Sequence, residues 1–225
     1  MLAEARSIPE ALRYSDLGFS AETLLDAIDG IAYLVDPTGV ILATSTKLSH
    51  ACAHAADGSA QSGEEALATA LAVGALDDQV RDAYRRLHDA VCAGQRERIS
   101  FVHRCDSPEV ARVARMSISP VRVGGRLCAV LYQSQVLSEA RRPRIALFDH
   151  ANFQRGQGAS FARPVVRLCA YCHAVAWPPG THEDGERWST PEAYQAMGGP
   201  AAVKLRFAVC PSCLESIIEA NTRPD

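Results

Sequence analysis

Apolar residues near the start of the chain change from helical spacing to strand-like runs. Three of them share one face of a predicted short helix that ends at Gly30: Leu24, Leu25 and Ile28. Two β-rich runs follow, IAYLVD at 31–36 and VILATS at 40–45. Between them, Pro37 presets φ, Asp36 can bond the turn backbone, and Gly39 relieves the exit from the turn. The pattern predicts a helix followed by a β-hairpin.

The middle of the chain carries helical patterns. Residues 46–76 are rich in alanine and interrupted by glycine, which predicts several short helices. A longer helix is predicted over about 78–93, capped by Asp77 or Asp78 and stopped at Gly94. Its buried stripe has the expected helical spacing: Val80, Tyr84, Leu87 and Val91.

Three alternating runs predict the remaining strands, at 97–105, 110–119 and 126–136. A turn at Asp106-Ser107-Pro108 joins the first two, and Gly124-Gly125 closes a tight hairpin before the third. Two strands, a helical middle and three further strands favour an α+β fold. We expect one curved five-stranded antiparallel sheet with helices packed on it.

Composition then indicates a boundary. We predict a first domain at 20–137, a linker at 138–164 and a second module at 165–220. RIALFD (144–149) is expected to be a short extended piece against the first domain. The basic cluster Arg141, Arg142 and Arg144 is interpreted as a solvated face.

The second module contains two C-x-x-C pairs, CAYC and CPSC, separated by 37 residues. Each tight turn places two thiolates on one side, and two such turns complete a tetrahedral zinc shell with no open position. The sequence therefore predicts one structural zinc ion in a small zinc-ribbon-like module. Its ligands would be Cys169, Cys172, Cys210 and Cys213. The other four cysteines are interpreted as small buried apolar residues.

An alternative stays open, because Cys169 to His173 also matches the C-x-x-C-H pattern of haem attachment. His50 and His54, four residues apart, could likewise bind haem or a metal from one helix face. Either arrangement would make the protein a redox or gas sensor. His103 is interpreted as a satisfied core histidine, and Arg104 with Asp106 as a network within the turn.

Charge and hydropathy argue against nucleic acid and membranes as partners of this chain. The net charge is −3, and residues 165–225 carry five Lys or Arg against seven Asp or Glu. A tetrathiolate zinc centre would add negative charge, so the module lacks the basic footprint of a nucleic-acid reader. No apolar run approaches the ~20 residues of a membrane span, and the N-terminus does not look like a signal peptide. A cytoplasmic protein is expected.

The cysteine module resembles the cysteine-rich tail that follows PAS domains in many bacterial signalling proteins. The match covers Leu168 to His173, then Trp188 with Glu192 and Tyr194, then Val209 to Leu214. It departs where those tails often have Ser-His-Gly, since this chain has Arg206-Phe207-Ala208.

The first region is similar to a PAS domain through DGIAYLVDPTGVILATS, and its HRCDSPEVARVARMSISP resembles a stretch of short PAS–zinc proteins. The resemblance implies a five-stranded antiparallel sheet with flanking helices, a sensory role and no reaction. A small-molecule ligand is compatible with it, although its identity is unknown. We therefore expect a non-enzymatic adaptor in signal transduction. It would act through a protein partner or as a dimer paired through the stripe of Leu24, Leu25 and Ile28.

Overall fold

Residues 20–48, 78–149, 152, 163–177 and 187–223 are the part of the chain that the computed structural model describes. The first region contains α1 (Ala21–Asp26), β1 (Ile31–Val35), β2 (Ile41–Thr44), α2 (Asp78–Cys92), β3 (Ile99–Arg104), β4 (Val110–Val123) and β5 (Arg126–Arg141). A 3-10 helix (Ala146–Phe148) leads to β6 (Val165–Cys169), β7 (Val175–Ala176), β8 (Trp188–Ser189), α3 (Pro191–Ala196) and β9 (Lys204–Ala208). The C-terminal helical segment then runs through α4 (Pro211–Cys213), a π-helix (Leu214–Glu219) and α5 (Ala220–Thr222).

The predicted hairpin forms through an aspartate turn. Oδ1 of Asp36 accepts hydrogen bonds from the backbone N–H groups of Thr38 at 2.8 Å and Val40 at 2.9 Å. These bonds satisfy the backbone N–H groups of the turn. Gly39 completes the turn with a φ of 92°, which glycine adopts at no steric cost. Strands β1 and β2 consequently pair in antiparallel register.

The first region forms the predicted five-stranded antiparallel sheet, in the order β2-β1-β5-β4-β3. The α+β class is therefore confirmed. The pairing of β4 with β5 extends from Val110 opposite Arg141 to Val123 opposite Arg126. Strand β5 thus extends five residues beyond its predicted end at 136. Its last residues pair with the start of β4 rather than entering a linker.

One face of the sheet carries the main core. Helix α2 buries Val80, Leu87 and Val91 against it, as its predicted stripe requires. The same apolar cluster includes seven residues of the second region: Cys169, Tyr171, Val209, Cys210, Cys213, Ile217 and Ile218. The cysteine module and the sheet therefore share one core. The division of the chain at 138–164 stays a prediction, but the two regions on either side of it do not have separate hydrophobic cores.

Helix α1 packs on the opposite face of the sheet. Its N-terminus is capped by Ser20, whose Oγ accepts a hydrogen bond from the N–H of Thr23 at 3.3 Å. Leu25 is only 2% exposed in a small cluster with Ala32 and Ala129, whereas Leu24 is 43% exposed. The chain itself covers Leu25, so the predicted apolar stripe is only partly available for another molecule.

The second region is built on a four-stranded sheet in the order β8-β7-β6-β9, in which β6 and β9 are parallel. Buried Asn152 ties the 3-10 helix to it. Its Nδ2 donates to the carbonyl oxygens of Ala146, Leu147 and Ala201, and its Oδ1 accepts from the N–H of Val203. A fully satisfied buried amide fixes the orientation of the elements it joins.

Two predictions about this junction are wrong. Residues 146–148 form a 3-10 helix rather than an extended piece. Leu147 and Phe148 of this helix pack in a cluster with residues of the second region, namely Val166, Leu168 and Tyr194. Arg142 is not part of a solvated face, since its side chain is only 8% exposed. It is buried because two carboxylates, Asp106 and Glu192, lie within ion-pair distance of it.

Candidate metal centre

Parallel pairing of β6 and β9 brings the two C-x-x-C pairs together. Cys169 ends β6 and lies opposite Ala208, the last residue of β9, so both chains leave the sheet at the same end. The first pair then turns back, and the N–H of His173 donates to the carbonyl oxygen of Cys169 at 3.1 Å. The second pair begins at Cys210, whose carbonyl accepts from the N–H of Leu214 at 3.0 Å as the C-terminal helical segment starts.

The four predicted ligand residues form one cluster. The sulfur atoms of Cys169, Cys172, Cys210 and Cys213 all lie within 4.8 Å of one another. Those of Cys172 and Cys210 are 3.6 Å apart. A tetrahedral shell with metal–sulfur bonds of about 2.3 Å requires sulfur atoms about 3.8 Å apart. The donor set and spacing therefore fit a metal ion with four thiolate ligands.

Backbone groups support the sulfur atoms. The N–H of Cys210 points at the Sγ of Cys169, with a separation of 3.4 Å. Cys169, Cys210 and Cys213 are buried, while Cys172 is half-buried. A thiolate that accepts backbone hydrogen bonds is stabilised in its charged form, which is the form that binds a metal.

The thiols shift one another's pKa values in opposite directions. The thiols of Cys172 and Cys213 donate to Cys169 and hold the pKa of Cys169 well below its usual range. In turn, the hydrogen bond to the Cys169 thiolate is the main cause that raises the pKa of Cys172 and of Cys213. Because neighbouring thiolates repel, a bound cation is what would let all four ionise together.

Tyr171, inside the first C-x-x-C pair, connects the cluster to the main core. It is fully buried, with its ring stacked on Tyr84 at 5.5 Å and edge-on to Phe101 at 5.3 Å between ring centroids. Its hydroxyl has no hydrogen-bond partner among the described residues. Its carbonyl accepts from the N–H of Arg104, 2.7 Å away at the end of β3. Sequence reasoning missed this contact, although an aromatic residue inside a C-x-x-C pair was a signal for it.

The predicted turn network around Asp106 is confirmed and reaches further than expected. Both carboxylate oxygens accept from Arg104, at 3.1 and 2.6 Å, and Oδ1 also accepts from the N–H of Arg112. Arg142 lies 3.2 Å from Oδ2, and Nδ1 of His173 lies 3.4 Å from the same oxygen. Burial alone would raise the pKa of Asp106, but the neighbouring His173 and the hydrogen bonds from Arg104 hold it well below its usual range.

The remaining candidate residues lie apart from the cluster. His103 is satisfied as predicted, with Nε2 3.2 Å from the Oγ of Ser134 and Nδ1 3.2 Å from the carbonyl oxygen of Arg104. Cys92 and Cys128 are half-buried and buried, but Cys105 is exposed, against the expectation that it is a buried apolar residue. His50, His54 and Cys52 fall outside the described residues.

Comparisons with protein-family models, with curated proteins and with solved structures find no match to this chain. Among the described residues, no helix combines the length and the apolar character needed to cross a membrane.

Proposed function

We propose that the chain binds one zinc ion through Cys169, Cys172, Cys210 and Cys213. The observation that carries this proposal is the grouping of four sulfur atoms within 4.8 Å of one another, contributed by two separate turns. Zinc accepts four thiolates in a tetrahedral, closed shell, and such sites stabilise the fold rather than catalyse a reaction. Bound there, the ion would neutralise the mutually repelling thiolates and join the ends of β6 and β9.

The same grouping favours zinc over haem. Covalent haem attachment would use Cys169 and Cys172 alone and would give Cys210 and Cys213 no part in the site. In the structure these two thiols lie as near as a shared ion requires, with Cys172 and Cys210 separated by 3.6 Å. The softness of the thiolate ligands also favours a directly bound metal ion over haem, since a tetrahedral set of four sulfur ligands suits zinc or iron.

We further propose that the protein is a non-enzymatic regulatory adaptor with a PAS-like first region. The support is the sequence resemblance together with the five-stranded antiparallel sheet and the helix packed on its face. A signal would be passed on by contact with a protein partner or by self-association. For self-association, Leu24 is the suitable probe, because Leu25 is needed within the chain. Leu24→Glu should convert a dimer to a monomer in sedimentation, and a wild type that is monomeric at micromolar concentration would exclude pairing through α1.

Metal analysis of the purified chain tests the zinc proposal. We expect about one zinc per chain and no visible absorption band. Cys210→Ser should lose the zinc, because three remaining thiolates leave the shell incomplete. Cys105→Ser is the matched control, since this exposed cysteine lies outside the cluster and its loss should leave the zinc content unchanged. Full zinc content in Cys210→Ser would show that these cysteines are not the ligands, and a haem spectrum would favour the alternative.

A further inference from the structure

His173 has an unusual backbone for its residue type. Its φ is 58°, and it is the only residue other than glycine with a positive φ among the described residues. This left-handed conformation crowds a β-carbon, and glycine adopts it at no steric cost. It comes directly after Cys172, where the chain leaves the first cysteine turn. A glycine would satisfy the turn alone, so the imidazole at this position calls for a separate explanation.

The imidazole of His173 is held in a buried site outside the sulfur cluster. Its side chain is 11% exposed, and its ring lies 5.3 Å from the ring of Phe148. Its Nδ1 faces the Oδ2 of Asp106 at 3.4 Å, and the Asp106 side chain is completely buried. Asp106 and His173 are 67 positions apart in the sequence, so this contact joins the cysteine turn to the β3–β4 turn of the sheet.

Asp106 is itself fixed to two strands of the sheet and to the residue that follows a third. It accepts from Arg104 at the end of β3 and from the N–H of Arg112 in β4. Arg142, directly after β5, completes the set at 3.2 Å. A second link runs parallel to this one, because the N–H of Arg104 donates to the carbonyl of Tyr171 within the cysteine turn. The position of the carboxylate and that of the cysteine turn are therefore set together.

We infer that the contact between Asp106 and His173 couples metal binding at the four cysteines to the conformation of the β3–β4 turn. Asp106 is then a positioning residue for the metal centre. Binding of the metal would in turn change the conformation of the β3–β4 turn. The inference rests on the proposed metal binding. Since coupling between two sites is reciprocal, the metal should order the turn, and the turn should raise the affinity for the metal.

Two variants of the full chain test this coupling. Asp106→Asn removes the anion that His173 faces and should weaken zinc binding by up to about 10-fold, the lower end of the range for groups that bond metal ligands directly, because Asp106 acts through His173, the residue next to Cys172. His173→Gly removes the imidazole while Asp106 keeps its arginine partners. Glycine also relieves the positive φ, so any fall in affinity there is a minimum measure of the side chain's role. Glu109→Gln is the control, because this residue lies in the same turn with a side chain 65% exposed.

Two measurements are needed, each with zinc alone as the ligand. Competition with a chromophoric chelator gives zinc affinity, and hydrogen exchange of residues 104–112 gives the order of the turn with and without zinc. In wild type and Glu109→Gln, zinc should slow exchange in this segment. In His173→Gly and Asp106→Asn the zinc-dependent protection should be lost, and the double variant should bind zinc no more weakly than Asp106→Asn.

The outcomes separate the two proposals. A wild type that binds no zinc would overturn the proposed function itself. If the wild type binds zinc, but His173→Gly keeps both wild-type affinity and zinc-dependent protection of the turn, the coupling is wrong. Should Asp106→Asn fail to fold, as circular dichroism would show, His173→Gly alone decides, because Arg104 and Arg142 keep Asp106 as their partner in it.

Discussion

Ile218→Ala tests whether the sheet and the cysteine module share a core. Ile218 lies in the π-helix that follows the second cysteine pair and has no exposed surface. It belongs to the same apolar cluster as Val91 of α2 and Ile99 of β3, which come from the first region. Truncating it therefore opens a cavity between the two regions rather than inside one of them.

The expected loss of stability is large for one residue. Truncation of a buried isoleucine to alanine costs about 2–5 kcal/mol, because the transfer free energy is lost and a cavity is left. Whole domains have a free energy of unfolding of only about 5–15 kcal/mol. For a chain of this size each kcal/mol lowers Tm by about 2–4 °C, so we expect a fall of roughly 4–20 °C.

Separate probes can follow the two regions. The chain has two tryptophans, Trp177 and Trp188, and both lie in the second region, so their fluorescence follows the cysteine module. Hydrogen exchange of 78–92 follows helix α2 in the first region. With a shared core, Ile218→Ala should accelerate exchange in α2 and lower the fluorescence transition together. Val102→Ala is the control, since this valine is 52% exposed and should change stability by no more than about 0.5 kcal/mol.

A split response would refute the reasoning. If Ile218→Ala lowered the fluorescence transition and left the protection of α2 at its wild-type value, the two regions would fold independently. The contacts between them would then contribute little to stability, and the boundary at 138–164 would separate two autonomous domains.

Two further predictions concern single side chains. Tyr171→Phe should raise the free energy of unfolding by about 1 kcal/mol in urea titration, because it removes a buried hydroxyl that has no hydrogen-bond partner in the described part of the chain; a fall would show that the hydroxyl is satisfied. Burial lowers the pKa of His103. As the pH is lowered through about 6.5, the unfolded chain therefore binds more protons than the folded one, and the free energy of unfolding falls. Between about pH 7.5 and 5.5 the wild type should therefore lose more stability than His103→Gln, and equal losses would contradict this assignment.

The elements of the sheet were predictable because their signals are local. Two β-rich runs indicate the first two strands, alternation of apolar residues indicates the other three, and the Asp36 turn follows from side-chain hydrogen bonding that acts over four residues. The cysteine cluster was predictable for a different reason. Thiolate pairs at this spacing have few other uses, so residue type and spacing together are enough to indicate the site.

What could not be predicted depends on contacts between distant segments. The sequence predicts a solvated arginine cluster, because nothing near Arg142 in sequence shows that Asp106 and Glu192 lie beside it. The parallel pairing of β6 with β9 and the burial of Tyr171 against Phe101 likewise follow from the tertiary arrangement. Local patterns also predict a linker from residue 138 onward, whereas residues 138–141 continue β5, and Leu147 and Phe148 pack against the second region.

The most direct test of the central claim is X-ray absorption at the metal edge of the purified full-length protein. The claim is that four cysteine sulfurs complete the shell of one zinc ion. We expect a zinc edge whose first shell fits four sulfur atoms at about 2.3 Å, with no nitrogen or oxygen ligand. A shell that includes nitrogen or oxygen, or a protein that contains no zinc, would contradict it.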